Sequence, residues 1–534
     1  MTMLANASRY LRFIIRRERV ISSIWVAALV LSIIGLTAMY PSLFPTPQAL
    51  LDMQSGLNTP AMIAMMGPVY GLDALTPAIA MAQECLIWVA ITIIVMNIFL
   101  VNRHTRIDEE LGRHEMLISL PVGRLTGSFV TLFWALLMNL AVALLGGLGI
   151  LALNIEGTTA AGAFAYTGSI AAQGFLFAAI TLLAAQLFST AHGASGFSFL
   201  LLGLCYILRA SGDMSGNALS VISPLGLGLK VEAFYTDAYW PIYVLLGEAV
   251  VFAVAAFAVN AIRDIGAGVI PARKGRAHAS RFLCSPFGFA WRMTSRTFLI
   301  WAIAVFALGA SYGTVVGELD KFVESNETIK QMLQAIGGGS SSLVDAYVPM
   351  LSGIMGMLIS IPAINAINRL RAEERRGRLE QLYSKRVSRA TLYLCFAAIA
   401  VIEAVVLTAL SALGLYATSA STGLLPLDTL LAASYVQLPA ILVVAGLTAL
   451  LLGCLPRFTA LVWAVFGYSF LMLYFGRLFD VPEAARRISP FGNVPLIPVE
   501  QFALTPEAIL VAIALVLFAA GFISYRRRDM VWKA

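Results

Sequence analysis

Charged side chains are scarce in this sequence. Of its 534 residues, 12% are Asp, Glu, Lys or Arg, whereas 59% are hydrophobic. A soluble protein carries about 25% charged residues, so this composition excludes a soluble globular protein. It predicts an all-α integral membrane protein, because lipid provides no hydrogen-bonding partner for an open backbone. The formal net charge of +7 does not indicate nucleic-acid binding, since the basic residues follow the predicted loops.

Cysteine and histidine are also few, with five and four residues. The cysteines are widely scattered and form neither a disulfide framework nor a CxxC pair. The histidines stand at no metal-ligand spacing, and the sequence lacks a GxxxxGKS/T phosphate loop and an HExxH motif. We therefore predict no metal site, no cofactor on this chain and no catalytic residue. A membrane-embedded enzyme is disfavoured because it would need a polar catalytic cluster.

Long apolar runs dominate the chain instead, and about 20 such residues are enough to cross a bilayer. The predicted spans of the first half are 20–40, 78–101, 127–153, 162–189, 194–211 and 240–262. Those of the second half are 297–317, 346–368, 390–417, 429–454, 458–476 and 505–525. With a cytoplasmic N-terminus, 29 of the 36 Lys and Arg residues fall on the cytoplasmic side. This bias predicts two cytoplasmic termini and twelve crossings.

Four segments outside the spans carry predictions of their own. Residues 4–19 combine an apolar face with five arginines, which predicts a basic amphipathic helix on the membrane surface. A positively charged flank of the first span is the alternative. Residues 58–67 and 326–337 are predicted to form brief helices at the outer surface. The basic stretch 271–281 is predicted to be a cytoplasmic linker between two halves.

One polar segment occurs twice, at residues 106–124 and again at 371–389. At a fixed offset of 265, nine of the nineteen positions are identical. Further similarities join the halves, among them Arg263-Asp264 with Arg528-Asp529. We therefore predict two fused six-span units, 1–275 and 276–534, in a parallel pseudo-dimer. The identical positions are Arg106/Arg371, Glu109/Glu374, Gly112/Gly377, Arg113/Arg378, Glu115/Glu380, Leu117/Leu382, Ser119/Ser384, Val122/Val387 and Arg124/Arg389.

The repeated segment is predicted to form a short charged helix between two spans. Its acidic residues near the helix start are favoured by the helix dipole, and such a rigid helix can transmit a push from a docked partner. A solvated loop, retained through common descent of the halves, is the alternative. The predicted coupling residues are Glu109, Gly112, Arg113, Glu115, Glu374, Gly377, Arg378 and Glu380.

The stretch EELGRHEMLISLPVGR resembles the first cytoplasmic loop of type-2 ABC exporter permeases, whose E-x-G-x-x-E-x-L-x-x-x-P-V-S-R segment forms the coupling helix. Two fused units are similar to the permeases of tetronasin-type polyketide-antibiotic exporters. The resemblance implies a separate ABC nucleotide-binding ATPase subunit, in two copies, that holds ATP and Mg. It also implies export of hydrophobic drug-like compounds across the bacterial cytoplasmic membrane. The second copy departs from the pattern, with Lys385-Arg386 in place of Leu120-Pro121, which predicts unequal contacts with the ATPase.

Polar and aromatic residues inside the predicted spans are candidates for the substrate path. In the resembling family the second and fifth spans of each unit line this path, and adaptable apolar side chains suit lipophilic cargo. For any single aromatic residue, ordinary packing is the alternative. Glu403 and Asn139 are further embedded polar residues, for which the alternative is a polar contact between helices. The path residues implied by the resemblance are Glu84, Trp88, Phe199 and Tyr206 in one wall and Met357, Tyr468, Phe470 and Tyr474 in the other.

A proton-coupled secondary transporter of the major-facilitator type is the alternative function. It also has twelve spans in two parallel halves, and its loop between spans two and three contains a Gly-Arg pair. Asp108 and Gly112-Arg113 are similar to that motif, but the glycine that opens the motif is absent. The linker between the halves is also short. The sequence therefore favours the ABC exporter permease.

Overall fold

A computed structural model describes most of the chain. The described residues are 3–44, 46–58, 60–118, 121–264, 266–270, 278–316, 343–385, 387–420, 423–475, 481–500 and 502–528. These residues are helical or lie in turns and loops, with no β-strand among them. The chain divides into two compact units, Met1–Gly275 and Arg276–Ala534.

The first unit contains twelve α-helices among its described residues. Six of them are short and lie between the long apolar helices, two of the six within the repeated segment 106–124. In chain order, the helices are α1 (Ala7–Leu43), α2 (Pro47–Gly56), α3 (Pro60–Met66), α4 (Pro77–His104), α5 (Arg106–Glu110), α6 (Arg113–Ile118), α7 (Thr126–Leu153), α8 (Ala160–Leu187), α9 (Ala191–Ser215), α10 (Leu219–Ile222), α11 (Pro224–Leu229) and α12 (Trp240–Ile262).

The second unit follows a similar order in the part of the chain that the structure describes. Its helices are α13 (Pro286–Val315), α14 (Leu343–Arg375), α15 (Glu380–Tyr383), α16 (Arg389–Ser419), α17 (Leu427–Tyr435), α18 (Leu438–Cys454), α19 (Leu461–Phe475), α20 (Glu483–Ile488) and α21 (Leu504–Arg527).

The count of membrane spans depends on one helix. Across the described ranges, eleven helical segments are long and apolar enough to cross a membrane, with α17 and α18 together forming one of them. The predicted span 458–476 corresponds to α19, which has only 15 residues. Such a helix is about 22 Å long, shorter than the roughly 30 Å of bilayer hydrocarbon. The chain is an all-α membrane protein, and α19 does not reach the length of a full span.

The N-terminal prediction of a separate surface helix is wrong. Residues 4–19 do not form their own element, because α1 continues without interruption over 37 residues, or about 55 Å. The basic end of α1 packs on protein, since Tyr10 and Ile14 are buried and Arg17 forms an ion pair with Asp108. The segment is therefore the charged flank of a long first helix.

Small residues bring the helices of each unit close together. In the first unit α8 is mostly buried and packs against α4, α7 and α12. At Gly174 in α8, a Cβ atom would lie 2.3 Å from the side-chain oxygen of Asn139. In the second unit α18 packs against α21, with Gly453 placed directly against the backbone of Gly521. Such close approach of helices through small residues is typical of membrane proteins.

Several sequence predictions fall on residues that the structure does not describe or describes only in part. The brief helix predicted at 58–67 is present as α3, whereas the one predicted at 326–337 lies outside the described residues. So do most of the linker 271–281 and Arg386. Tyr474 belongs to α19, but its side chain is not among those described.

Candidate functional site

A glycine interrupts the helix in both copies of the repeated segment. We call residues 106–124 the first loop and residues 371–389 the second loop. Gly112 and Gly377 have positive φ angles of 70° and 69°, in the left-handed region that glycine adopts without strain. Their N–H groups donate to the carbonyl oxygens of Glu109 and Glu374, both at 3.0 Å. The prediction of one continuous helical turn is therefore wrong, because the glycine separates α5 from α6 and α14 from α15.

We expect Gly112→Ala and Gly377→Ala each to lower the free energy of unfolding by about 1–2 kcal/mol, the cost of a left-handed conformation for an L side chain. At Gly112 no atom lies within 4 Å of the added methyl group, so the cost is conformational. SDS titration of the full chain in mixed micelles measures the change. Gly196→Ala is the matched control, because Gly196 lies in α9 with equally open surroundings. An equal loss in the control would contradict this explanation.

A buried ion pair joins the first loop to the end of α12. The guanidinium of Arg263 binds both carboxylate oxygens of Glu109, at 2.5 and 3.1 Å. The two side chains are only 5% and 9% exposed, and Arg106 also binds Glu109. Because bidentate arginine–carboxylate pairs fix both distance and orientation, the first loop is held against the helix that closes the first unit.

The second loop repeats this arrangement. Arg528, the residue after α21, binds Glu374, and both side chains are largely buried. The loop arginines repeat as well: Arg124 donates to the carbonyl oxygen of Arg263, and Arg389 donates to that of Arg528 at 2.8 Å. The sequence separations are identical in the two copies, 154 residues for the ion pair and 139 for the backbone contact. Each unit therefore contains one loop–helix ion pair, Glu109–Arg263 or Glu374–Arg528.

The first loop has an additional connection to α1. Asp108 pairs with Arg17 at 2.5 Å and with Arg113 at 3.0 Å. Close by, the buried carboxylate of Glu18 lies within 3.2 Å of Arg103 and His104. The N-terminal backbone also meets the loop, since the N–H of Gly123 donates to Ala5. The first loop is therefore connected to the end of α12 through Glu109 and to α1 through Asp108.

The second loop lacks the corresponding charges. Glu373 pairs with Arg378 at 3.2 Å and with Arg369 at 3.4 Å, so both partners belong to α14 or its loop. If α13 is aligned on α1 through the shared Ile-Trp pair, Met293 and Thr294 stand where α1 has Arg17 and Glu18. Among the described residues, no ion pair therefore joins α13 to the second loop.

A tyrosine pair supports the second loop instead. The hydroxyl groups of Tyr383 and Tyr525 lie 3.3 Å apart. Burial raises the pKa of Tyr383, so this hydroxyl stays protonated and can share the hydrogen bond. The equivalent position in the first loop is Ile118, which cannot form it. The two loops therefore share the ion pair with the last helix but differ in their other contacts.

Four of the eight predicted coupling residues expose their side chains. Arg113 and Arg378 are 48% and 55% exposed, and Glu115 and Glu380 are also exposed. Neither glutamate forms an ion pair within the part of the chain that the structure describes. Glu109 and Glu374, by contrast, are taken up by the loop–helix ion pairs. The exposed groups are therefore the ones available to a partner.

Glu84 lies in a buried polar cluster of the first unit. Its carboxylate accepts hydrogen bonds from the Tyr40 hydroxyl at 2.6 Å and from the Gln54 amide at 3.0 Å. These contacts join α1 and α2 to α4. Trp88, one turn further along α4, is 44% exposed. Glu84 is therefore buried and hydrogen-bonded within the first unit, whereas Trp88 is exposed. The role of both residues on a substrate path stays a prediction.

The other predicted path residues have individual contacts. Phe199 packs edge-on against Phe99 with ring centroids 5.6 Å apart, and Met357 is buried. The hydroxyl of Tyr206 donates to the carbonyl oxygen of Met65, and that of Tyr468 to Ala485 at 2.7 Å. Phe470 is exposed on α19. Their assignment to two walls also stays a prediction.

The embedded amide of Asn139 takes part in a contact between helices. Asn139 and Asn97 exchange hydrogen bonds of 2.9 and 3.1 Å between α7 and α4. Glu403, the other embedded polar residue, is buried in α16. Among the residues described, no group of three His, Cys, Asp or Glu side chains could hold a metal ion.

Sequence reasoning missed the partners of Glu109 and Glu374. The signal was present, because Arg263 and Arg528 recur at the same offset of 265 as the two glutamates. A carboxylate and an arginine that repeat together at one offset are candidates for an ion pair in each half. Only the coordinates place them in contact.

The comparisons with known proteins agree with this architecture. A family model described as "Multidrug efflux system permease Rv1217c, C-terminal domain" matches residues 283–526. The chain is 32% identical over 529 residues to the multidrug efflux system permease protein Rv1217c of Mycobacterium tuberculosis. This similarity covers 97% of the chain and 94% of that relative. The chain therefore belongs to this family of multidrug efflux system permeases.

Proposed function

We propose that this chain is the membrane subunit of an ATP-driven exporter of the type-2 ABC class. ATP and Mg are held by a separate nucleotide-binding subunit, and the chain itself supplies the passage through the bilayer. The observation that carries the proposal is the repeated loop–helix ion pair. Two loops that repeat the same ion pair and the same left-handed glycine suit two copies of one ATPase, each docked on one loop.

The docking surface consists of the exposed side chains that follow the glycine in each loop. In the first loop these are Arg113 and Glu115, and in the second loop Arg378 and Glu380. The two loops lie in the cytoplasm, together with both termini, in the bacterial cytoplasmic membrane. The two units form a parallel pseudo-dimer with twelve crossings, in which the predicted span 458–476 completes the second set of six, with α19 as its described helical part.

The loop–helix ion pair explains how a push on a loop reaches the bundle. The first loop joins α4 to α7 through the chain, and Glu109 joins it to the end of α12 through Arg263. Glu374 and Arg528 do the same for α14, α16 and α21. Closure of the ATPase on ATP therefore moves the cytoplasmic ends of three helices in each unit together, as a rigid body. The path then changes from inward-open to outward-open.

The cargo is a hydrophobic or amphipathic drug-like compound, moved outward. The relative's name, multidrug efflux system permease, supports this class. Within it, the resemblance to tetronasin-type exporters favours polyketide-like antibiotics. Exposed aromatic side chains such as Trp88 and Phe470 provide the adaptable apolar contacts that varied lipophilic compounds require.

Co-expression with a nucleotide-binding subunit tests the proposal. We expect substrate-stimulated ATP hydrolysis and ATP-dependent uptake of a lipophilic drug into inverted vesicles. A partner whose phosphate-loop lysine is replaced serves as the control and should support neither activity. Transport by the chain alone, driven by a proton gradient and independent of ATP, would refute the proposal in favour of a major-facilitator-type carrier.

A further inference from the structure

A pocket in the first unit brings together arginines from three helices. It lies where the ends of α1 and α4 meet the first loop, and its placement on the cytoplasmic side rests on the proposed function. Its volume is about 680 Å³, within the range of about 300–1,000 Å³ that is usual for small-molecule sites. Arg17 of α1, Arg103 of α4 and Arg113 of α6 line it, together with four apolar side chains that include Phe13 and Phe99. We call it the arginine pocket.

Positive charge dominates the wall of the arginine pocket. Three guanidiniums line it, and no carboxylate does so among the described residues. The two acids that pair with these arginines, Asp108 and Glu18, have side chains only 2% and 1% exposed, so they lie behind the guanidiniums. The exposed Glu110 binds the N–H of Ala191 at the start of α9 instead. A group bound in the pocket therefore meets guanidinium N–H donors and no carboxylate oxygen.

Two of the three arginines keep donors for a ligand. Arg103 approaches Glu18 through Nε, at 3.2 Å, and no hydrogen bond of its two terminal nitrogens occurs among the described residues. Arg113 binds Asp108 through Nη1 at 3.0 Å, and its other nitrogens have no partner within the described ranges. The side chains of Arg103 and Arg113 are 35% and 48% exposed. Because phosphate oxygens accept several guanidinium hydrogen bonds at once, these free donors suit a phosphate group.

An apolar groove continues from the arginine pocket toward the middle of the bilayer. Its volume is about 230 Å³, and it shares Phe99 and Arg103 with the pocket. From Arg103 to Met96 the groove follows α4 for seven residues, or about 10 Å. This length is roughly two-thirds of one leaflet of a hydrocarbon core about 30 Å thick. The pocket and the groove thus form one continuous surface, charged at the membrane edge and apolar inside.

The polar groups that line the apolar groove have partners in the protein. Glu18 is paired with Arg103, and Ser22 accepts a hydrogen bond from a tryptophan indole. The other lining residues are Ile21 and Trp25 of α1, Leu100 of α4 and Met138 of α7. These apolar side chains leave the groove suited to part of an acyl chain.

The second unit lacks two of the three arginines. At the offset of 265, Asn368 stands in place of Arg103. With α13 aligned on α1 as above, Met293 stands in place of Arg17, and Arg378 alone retains the charge, as the counterpart of Arg113. The arginine pocket is therefore a property of the first copy rather than of the repeated architecture.

We propose that the arginine pocket and the apolar groove bind one anionic phospholipid of the cytoplasmic leaflet. Its phosphate accepts hydrogen bonds from Arg103 and Arg113, and one acyl chain lies along Ile21 and Trp25. A zwitterionic lipid binds less tightly, because its ammonium group meets guanidiniums and no exposed acid in the pocket. Since Arg113 belongs to the docking surface, the headgroup lies beside the place where the ATPase docks. Further exposed arginines at the same end of α1 attract an anionic leaflet: Arg9, Arg12, Arg16 and Arg19.

Native mass spectrometry of the full chain in detergent, titrated with dioleoyl phosphatidylglycerol, tests the proposal. We expect one molecule to bind at least about tenfold more tightly than dioleoyl phosphatidylcholine. Arg103→Gln and Arg113→Gln should each weaken this binding about tenfold, because a charge-assisted hydrogen bond is lost. In the Arg113 variant, Asp108 keeps Arg17 as its partner, so the fold does not depend on the change. Arg16→Gln is the matched control, since this exposed arginine lines neither pocket nor groove, and its effect should stay within about twofold.

A pair of tryptophan variants tests the acyl chain separately from the headgroup. Ile21→Trp, at a groove position that is 39% exposed, should fill the groove and weaken phosphatidylglycerol binding about tenfold, the effect of roughly two methylene groups that lose their burial. Val20→Trp adds the same side chain at a neighbouring position that is 62% exposed and does not line the groove. Binding to this control should be unchanged.

The proposal is overturned if phosphatidylcholine binds as tightly as phosphatidylglycerol, or if Arg103→Gln, Arg113→Gln or Ile21→Trp leaves binding unchanged. Equal weakening by Arg16→Gln or Val20→Trp would also overturn it, because the basic flank of α1 would then attract the lipid without a defined site. Displacement of the lipid by millimolar glycerol phosphate would indicate a site for free phosphates instead. Because the assay contains no ATPase and no membrane side, each of these failures would leave the proposed export function untouched.

Discussion

Replacing Glu109 and Glu374 by alanine in one protein is expected to lower drug efflux at least tenfold, by a rough estimate from the buried ion pairs that are lost. Arg263 and Arg528 would each lose the carboxylate that holds the loop to the last helix of its unit. Removal of one partner from a buried ion pair costs about 3–5 kcal/mol, enough to release the loop from that helix. Efflux from whole cells, normalised to the amount of membrane-inserted protein, measures the effect.

A charge exchange separates this explanation from direct docking of the glutamates on the ATPase. The second loop is the better place for it, because the nearby Arg371 binds Thr459 rather than Glu374. Glu374→Arg combined with Arg528→Glu should recover a large part of the efflux that Glu374→Ala loses. If the exchanged protein is inserted but as inactive as the single variant, the role of the ion pair is wrong. Glu156→Ala, at an exposed glutamate outside both loops, is the control.

The second large effect is expected at the exposed glutamates. Glu115→Arg combined with Glu380→Arg should abolish the stimulation of ATP hydrolysis by the permease, a loss of at least about tenfold if each reversed contact costs about 1 kcal/mol or more. The free energy of unfolding should remain within about 0.5 kcal/mol of that of the unmodified protein, because both side chains are exposed and unpaired surface positions tolerate substitution. ATPase activity of the co-purified complex at fixed substrate concentration is the measurement.

Co-purification distinguishes the two pairs of glutamates. The variant of Glu115 and Glu380 should no longer retain the ATPase subunit, whereas the variant of Glu109 and Glu374 should retain it without transporting drug. Glu156→Arg introduces the same charge reversal at an exposed position outside the loops and should behave as the unmodified protein. Full retention and full stimulation in the Glu115 and Glu380 variant would exclude these residues from the docking surface.

The two loops differ in the contacts that hold them to their own units. Arg17 holds the first loop against α1, and Glu18 joins α1 to the end of α4 just before that loop. The second loop depends instead on α14, α21 and the pair of Tyr383 with Tyr525. The difference in sequence at Lys385-Arg386 predicted unequal contacts with a partner. The structural difference concerns instead how firmly each loop is connected to its own unit.

Local patterns predicted the long helices well and their interruptions poorly. The predicted span 78–101 lies within α4, and the predicted span 240–262 coincides with α12. The spacing of Glu109, Gly112 and Glu115 predicts a continuous loop helix, yet Gly112 adopts a left-handed conformation and interrupts it. The charge of residues 4–19 predicts an element separate from the first span, but no residue there ends a helix and α1 continues through them.

The sequence by itself determined the class of protein, the long membrane helices and the duplication, since each depends on composition, run length or identity at a fixed offset. Membership of a multidrug efflux permease family also follows from the sequence alone. Only the tertiary structure decided what the repeated glutamates do. Glu109 binds Arg263, which is 154 residues away in the sequence, and Glu84 binds Tyr40, which is 44 residues away. Such contacts depend on how separate helices pack, and no local pattern specifies which distant charge will lie within hydrogen-bonding distance.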